Sequence, residues 1–277
     1  MSRRKPWIWY TAALFFAAAV GGCASTATRM QTAAALDRAL AAPQRAPAER
    51  ARDVYRHPRE TLLFFGLRPE MTVLEVSPGT GWYTKVLGPV LRDRGRLLVA
   101  MEPLVESNPD SVRTHERFRA LLDAAPGALD RVEIVPFGAG RMPATPEGSV
   151  DLVVAFRELH GWLGNGSAAT VLAELYRVLK PGGILGLVDH RGNPATQQDP
   201  QARSGYVNQS YAVRLAESAG FRLVATSEIN ANPKDTRDHP RGVWNLPPSL
   251  TEGEKDRAKY LAIGESDRFT LKFVKPR

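Results

Sequence analysis

The chain is short of several things. It has one cysteine in 277 residues, Cys23, so no disulfide can form within it. No apolar run reaches the roughly 20 residues that a membrane-spanning helix needs. Lys plus Arg exceed Asp plus Glu by 8, yet no basic run and no basic-aromatic stripe marks a nucleic-acid surface. No G-x-S-x-G or Cys–His pairing points to hydrolase chemistry, no G-K-[ST] closes a phosphate loop, and no internal repeat is visible. Hydrophobic residues at 43% and charged residues at 24% are an ordinary globular balance, enough for one large domain or two small ones.

The N-terminus reads as an address. Arg3, Arg4 and Lys5 are basic, no acid precedes Cys23, and residues 7–20 (WIWYTAALFFAAAV) form an apolar stretch of about 14 residues, suited to a signal-peptide core. VGGC follows. Small residues between an apolar core and the sole cysteine resemble the bacterial lipoprotein signal. The resemblance implies a signal peptide over 1–22, cleavage before Cys23 and acyl chains on it, each buried CH2 adding about 0.8 kcal/mol of membrane affinity. Ala24 rather than an acid follows, which favours the outer membrane, periplasmic face; a cytoplasmic enzyme with a misread N-terminus is the alternative. The adjacent arginines also resemble a twin-arginine export signal. Residues 23–50, rich in Ala, Pro and Arg, read as a lipidated N-terminus and flexible tether, with a short helix around 30–41 and ends on the order of 25–30 Å apart.

One domain is expected over 51–277. Pro58 stands at a helix start, Glu60 in its first turn and Gly66 at its stop. Strands are predicted at 72–76, 96–101, 131–135, 150–156, 183–189, 221–229 and 268–275, with helices at 82–92, 109–124, 167–179 and 205–219. This alternation predicts an α/β fold, a mostly parallel seven-stranded sheet with helices on both faces. The last two strands lack a good crossover helix and are expected to pair antiparallel at one edge. Residues 230–266 are irregular and Pro-rich, a length that suits covering a site. Asn232, Asp235, Asp238 and His239 within them match no metal-ligand spacing and read as turn chemistry.

The stretch VLEVSPGTGWYT, 73–84, runs from the first strand into a glycine loop, at the sheet edge where open α/β folds bind ligands. Gly79 and Gly81 remove side chains where a ligand would press against backbone. A dinucleotide loop needs a third glycine where Thr84 stands. Glu75, four residues before Gly79, would repel phosphate and suits a cationic ligand.

VLEVSPGTG resembles the first motif of the class I S-adenosylmethionine-dependent methyltransferases, acid-x-G-x-G-x-G, with Ser77 in place of the first glycine. LLVAMEP puts Glu102 21 residues beyond Gly81, where that family carries the acid for the ribose diol. SVDLVVAF and ELYRVLKPGGILGLVD resemble its fourth strand and its helix–turn–fifth strand, with Lys180-Pro181-Gly182-Gly183 as the turn. The resemblance covers about residues 50–277 and is nearest to a bacterial group known mostly as predicted methyltransferases, through FRELHGW, NPKDTRDHP and GVWNLPP. It implies a Rossmann-like sheet, S-adenosylmethionine as cofactor and a small-molecule acceptor. It implies cofactor contacts at Glu75, Ser77, Pro78, Gly79, Thr80, Gly81 and Glu102. Gly138 stands where many relatives carry an Asp for the adenine amino group, so adenine is expected to meet backbone or packing there.

Methyl transfer from a sulfonium needs alignment and, for an O–H or N–H acceptor, a base. FRELHGW ends the fourth strand. From it, His160 is the candidate base or orienter, Arg157 the partner of Glu75 or of the cofactor carboxylate, and Trp162 a wall of the acceptor site. Asp189 and His190 end the fifth strand; Tyr55 and His57 precede the first core helix; these four complete the substrate candidates. No metal and no nucleic-acid partner is expected. Since S-adenosylmethionine is cytoplasmic and the leader points outward, a methyltransferase fold kept as a binding module after loss of catalysis is the alternative function.

Overall fold

The computed structural model describes residues 17–138 and 145–277, with side chains from residue 26 onward. The leader expected at 1–22 lies outside the described residues apart from the backbone from Ala17, as does the Cys23 side chain.

Seven strands form one sheet: β1 (Thr72–Val76), β2 (Arg96–Met101), β3 (Val132–Pro136), β4 (Val150–Phe156), β5 (Leu179–His190), β6 (Arg222–Ser227) and β7 (Arg268–Val274). Their order is β3-β2-β1-β4-β5-β7-β6. Neighbours from β3 to β5 pair in parallel, and β7 runs antiparallel to both β5 and β6. The antiparallel pair stands at this edge as expected, with β6 outermost. The helices are α1 (Ala17–Ala41), α2 (Pro47–Arg50), α3 (Asp53–Arg56), α4 (Pro58–Phe65), α5 (Thr84–Leu91), α6 (Pro109–Asp123), α7 (Leu159–Gly164), α8 (Ala168–Val178), α9 (Gln209–Ser218) and α10 (Arg257–Ile263).

Alternation along the strands builds two cores. Val73, Leu97, Val99, Leu152 and Val154 pack on one face with residues of α1, α4, α5 and α6. Leu74, Leu98, Ala100, Val153 and Ala155 pack on the other with α7, α8 and α9. Strands β1, β2 and β4 are covered on both faces and read as apolar runs, while β6 at the edge stays half exposed. The same parity puts Glu75 on the face of Val73, beneath α5.

The flexible tether expected over 23–50 is not what residues 26–50 form. Helix α1 continues to Ala41 and buries Thr32, Leu36 and Ala39, the last two in the core shared with α4 and α5. Arg45 is fully buried: it donates to both Asp53 carboxylate oxygens at 2.9 and 2.6 Å, and its guanidinium lies 4.9 Å over the Trp82 ring. Lys85 Nζ donates to Glu49 at 2.8 Å and ties α2 to α5. The Ala-rich composition concealed a packing stripe of Thr32, Leu36 and Ala39, spaced by four and three. Leu36→Ala is expected to cost about 2–5 kcal/mol in urea unfolding, the usual loss for a buried leucine; a tether residue would cost nothing. Among the described residues no helix is long and apolar enough to cross a membrane.

Candidate active site

The loop after β1 is built for close approach. The Ser77 N–H donates to the Ala100 carbonyl at 2.9 Å, which holds the turn against β2. Gly79 has φ 56°, and a Cβ added there would meet nothing within 4 Å. Gly81 differs: its added Cβ would lie 2.2 Å from Leu121 Cδ2. The bare backbone at Gly81 therefore admits α6, and Gly81 lines neither of the two cavities beside the loop.

Two cavities meet at this loop, along the carboxyl ends of the strands. The first encloses about 310 Å³ among the loop, the end of β4, α3 and residues 243–249. The second encloses about 430 Å³ among the loop, the end of β2 and the start of α6. Ser77, Pro78, Gly79 and Glu158 line both, so the two are lobes of one cleft.

The second lobe holds Glu102, Ser111, Thr114 and His115. Pro109 opens α6, and the Asn108 side chain caps it by accepting from the N–H groups of Asp110 and Ser111. His115 Nε2 lies 2.8 Å from the Glu102 carbonyl and ties the strand end to α6. The Glu102 carboxylate is exposed and has no hydrogen bond from the described residues. Gly138 sits 3.6 Å, by its added Cβ, from the Pro103 ring, close beside this lobe.

The first lobe is highly charged. Glu75 is buried and accepts from Thr84 Oγ1 at 2.7 Å. Burial pushes its carboxyl up to about 7 against those Thr84 bonds. Burial and then the charge of Asp189 raise Glu158 to about 7 as well, with Ser77, His160 and Arg157 opposing. Tyr83 stacks on Phe156 at 3.5 Å, and the two rings floor the lobe. Arg52, Arg56, Arg157 and Arg268 also line it. The guanidinium of Arg157 has no hydrogen-bond acceptor among the described residues, so the expected pairing with Glu75 is not formed.

His160 and Asp189 form a couple at the lobe wall. His160 Nδ1 stands 3.0 Å from Asp189 Oδ1, and the His160 backbone N–H donates to Oδ2 at 3.0 Å. Burial pulls the imidazole down, but the charge and hydrogen bond of Asp189 outweigh it, and the net shift is upward. Burial likewise raises the Asp189 carboxyl, and the His160 charge and bond reverse this, leaving it lowered. His190 shares the lobe; its Nδ1 bonds Ser266, and burial holds it well below the usual value, hence neutral. The donor atoms of His160, Asp189 and His190 lie within 4.8 Å of one another. Asp189 already accepts three N–H groups and His190 Nδ1 is engaged by Ser266, so proton handling suits the trio better than metal binding.

Ser77, Pro78, Gly79, Thr80, Glu75, Arg157, His160 and His190 thus gather in the first lobe and Glu102 in the second. Four substrate candidates line neither. Trp162 is buried in the α7–α8–α9 core, 6.4 Å from the Phe137 ring, because its helix turns it beneath the sheet. Tyr55 turns outward over Gly264, and His57 is the left-handed joint (φ 39°) between α3 and α4. Arg52 and Arg56, four apart, take the cleft-facing side instead. Asp189 is buried behind His160 rather than exposed to ligand. Residues that sequence reading did not single out are Arg52, Arg56, Arg268, Tyr83, Ser111 and Trp244; only the length of 230–266 hinted at the last. Asp235 is buried and accepts from Tyr206 and His239 at 2.9 Å each.

Residues 74–187, from β1 through β5, match the family model described as a methyltransferase domain. The chain is 28% identical over 211 residues to a ubiquinone/menaquinone biosynthesis C-methyltransferase of Hydrogenovibrio crunogenus, covering 75% of this chain and 74% of the relative. An S-adenosylmethionine-dependent methyltransferase of Aquifex aeolicus superposes with TM-score 0.54 at 20% identity, over 81% of this chain and 93% of that one. The [4+2]-cyclase SpnF superposes with TM-score 0.54 at 17% identity, over 91% and 96%. The fold is that of the class I S-adenosylmethionine-dependent methyltransferases, and the matched domain implies that cofactor. The cyclase shows that the fold alone does not name the reaction.

Proposed function

We propose that this protein transfers a methyl group from S-adenosylmethionine to a small molecule bound in the first lobe. The observation that carries this reading is the two-lobed cleft joined at a bare loop, with Glu102 in one lobe and Glu75, Glu158 and His160 in the other. The residues fit the cofactor. Glu102 offers two acceptor oxygens to a ribose diol, and Gly79 leaves the backbone open. Glu75 and Glu158 suit the ammonium of the methionine end, and Arg157 its carboxylate. When bound, S-adenosylmethionine supplies an electrophilic methyl group on a sulfonium. His160 directs its Nδ1–H to Asp189, which leaves Nε2 to take the acceptor's proton. Trp244, whose ring is 6.2 Å from His160, and Pro247 and Pro248 shield the lobe from water. A base beside the acceptor also suits carbon methylation, the reaction in the name of the 28%-identical relative. Calorimetry of the purified protein with S-adenosylmethionine tests the reading; absence of saturable binding removes it.

We also propose lipid attachment at Cys23 and a periplasm-facing envelope location, on the order of basic residues, apolar core, VGGC and single cysteine. Helix α1 shortens the reach: at 1.5 Å per residue Cys23 lies about 14 Å from Thr32, the first buried side chain among the described residues. In cell fractionation, Cys23→Ala is expected to move the protein from membranes to the soluble fraction; retention on membranes would leave a cytoplasmic or otherwise anchored enzyme.

A further inference from the structure

We infer that the methyl acceptor carries a compact anionic group, a carboxylate or a phosphate, held by Arg52, Arg56 and Arg268 in the first lobe. This rests on the methyl-transfer reading and adds the chemical class of the acceptor.

Three cations converge on one carboxylate. Arg52 Nε donates to Glu265 at 2.6 Å, Arg56 Nε at 3.3 Å, and Arg268 Nη2 donates to the same group. Arg268 is 2% exposed and Glu265 equally buried. Glu265 is fully ionised: burial opposes its charge, but Arg268, Arg56 and Arg52 hold its carboxyl down to about 2. One negative charge still leaves two positive charges uncompensated. Their donors are also unfilled. Among the described residues Arg56 hydrogen-bonds only through Nε, which leaves its Nη atoms without an acceptor, its guanidinium lying 4.7 Å over the Trp82 ring; Arg52 Nη2 and Arg268 Nε also lack an acceptor but are enclosed away from the cavity. Burial, then the charge of Arg157, bring the Arg56 guanidinium down to about 9, against Glu265.

The cofactor does not supply it. Its single carboxylate is outnumbered by its ammonium and sulfonium, so it brings net positive charge into the same lobe. Glu75 and Glu158 face that added charge, and the arginine cluster stays in surplus. Unpaired buried charge is costly, and a guanidinium fork matches a carboxylate or phosphate in shape. The stacked Tyr83–Phe156 floor suits an apolar or aromatic body behind the anion.

The test uses the full chain saturated with S-adenosylhomocysteine, which fills the cofactor's own carboxylate position. Benzoate, benzamide and inorganic phosphate are then titrated by calorimetry. Benzoate or phosphate is expected to bind, with benzoate about tenfold or more tighter than benzamide, and Arg52→Gln to weaken the anion about tenfold. Arg59→Gln, at an exposed arginine paired with Asp37, is the control and leaves anion binding unchanged. Arg52→Lys, which keeps the charge, guards against a folding defect and is expected to retain more affinity than Arg52→Gln. Benzoate no tighter than benzamide with no phosphate binding, or anion binding seen only when S-adenosylhomocysteine is left out, overturns the inference. Anion binding in a protein that does not bind S-adenosylhomocysteine removes the methyl donor and leaves the anion site standing.

Discussion

Glu102→Ala is expected to lower affinity for S-adenosylmethionine by about 10- to 150-fold, or 1.5–3 kcal/mol, the usual worth of hydrogen bonds to a charged group. The expectation follows from where the side chain stands. The end of β2 is fixed by the His115 contact to the Glu102 carbonyl, so the carboxylate is presented at a defined place in the second lobe. It is exposed and accepts no hydrogen bond from the described residues, which leaves its oxygens open to a diol. For the same reason the substitution leaves folding stability within about 0.5 kcal/mol, as surface changes do. Glu102→Gln, which keeps acceptor geometry without charge, falls between. Calorimetry and thermal unfolding of the same samples read both effects. Unchanged affinity in Glu102→Ala would show that the ribose is held elsewhere.

Asp189→Asn is expected to lower kcat by about 10²–10⁴-fold, the usual contribution of a positioned general base. Asp189 accepts from His160 Nδ1 and from two backbone N–H groups, and an amide nitrogen in its place cannot accept. Stability falls as well, so the decisive readout is pH. His160 works as a base only when neutral, and in the folded protein its pKa lies above 6.5. Activity therefore rises as pH climbs through a value above 6.5. With the counter-charge gone, burial dominates, and the rise in Asp189→Asn moves to lower pH while the plateau drops. Titration of the His160 ring by NMR reads the same shift without any acceptor. The linkage to stability has the matching sign: a pKa raised on folding adds stability that is complete below about 6.5 and is lost as pH rises through the folded value. An unshifted titration would reduce the couple to a structural hydrogen bond.

Much of the frame was legible because its causes are local. Strands β1, β2 and β4 are buried on both faces and read as apolar runs, and Pro58 and Gly66 mark helix ends by their own chemistry. The loop at 77–81 was legible as a turn, but its two glycines looked alike. Only the packing of α6 on Gly81 separates the one that meets Leu121 from the one that faces the cleft. Trp162 misled for a similar reason: it sits two residues from His160, yet α7 carries it into the core while His160 stays at the lobe.

The sequence by itself determined the order of the strands along the chain, the open loop after β1 and the acids at 75 and 102, because spacing and residue type act over a few neighbours. Tertiary structure alone decided which charges meet. Arg52 and Arg56 reach Glu265 and Arg268 across some two hundred residues because β7 inserts between β5 and β6 and brings its leading residues beside α3. It also decided that Ala-rich helix α1 docks on the domain, since an alanine's value lies in how closely its partner can approach. Such pairings depend on distances between elements, and no local pattern in the chain encodes them.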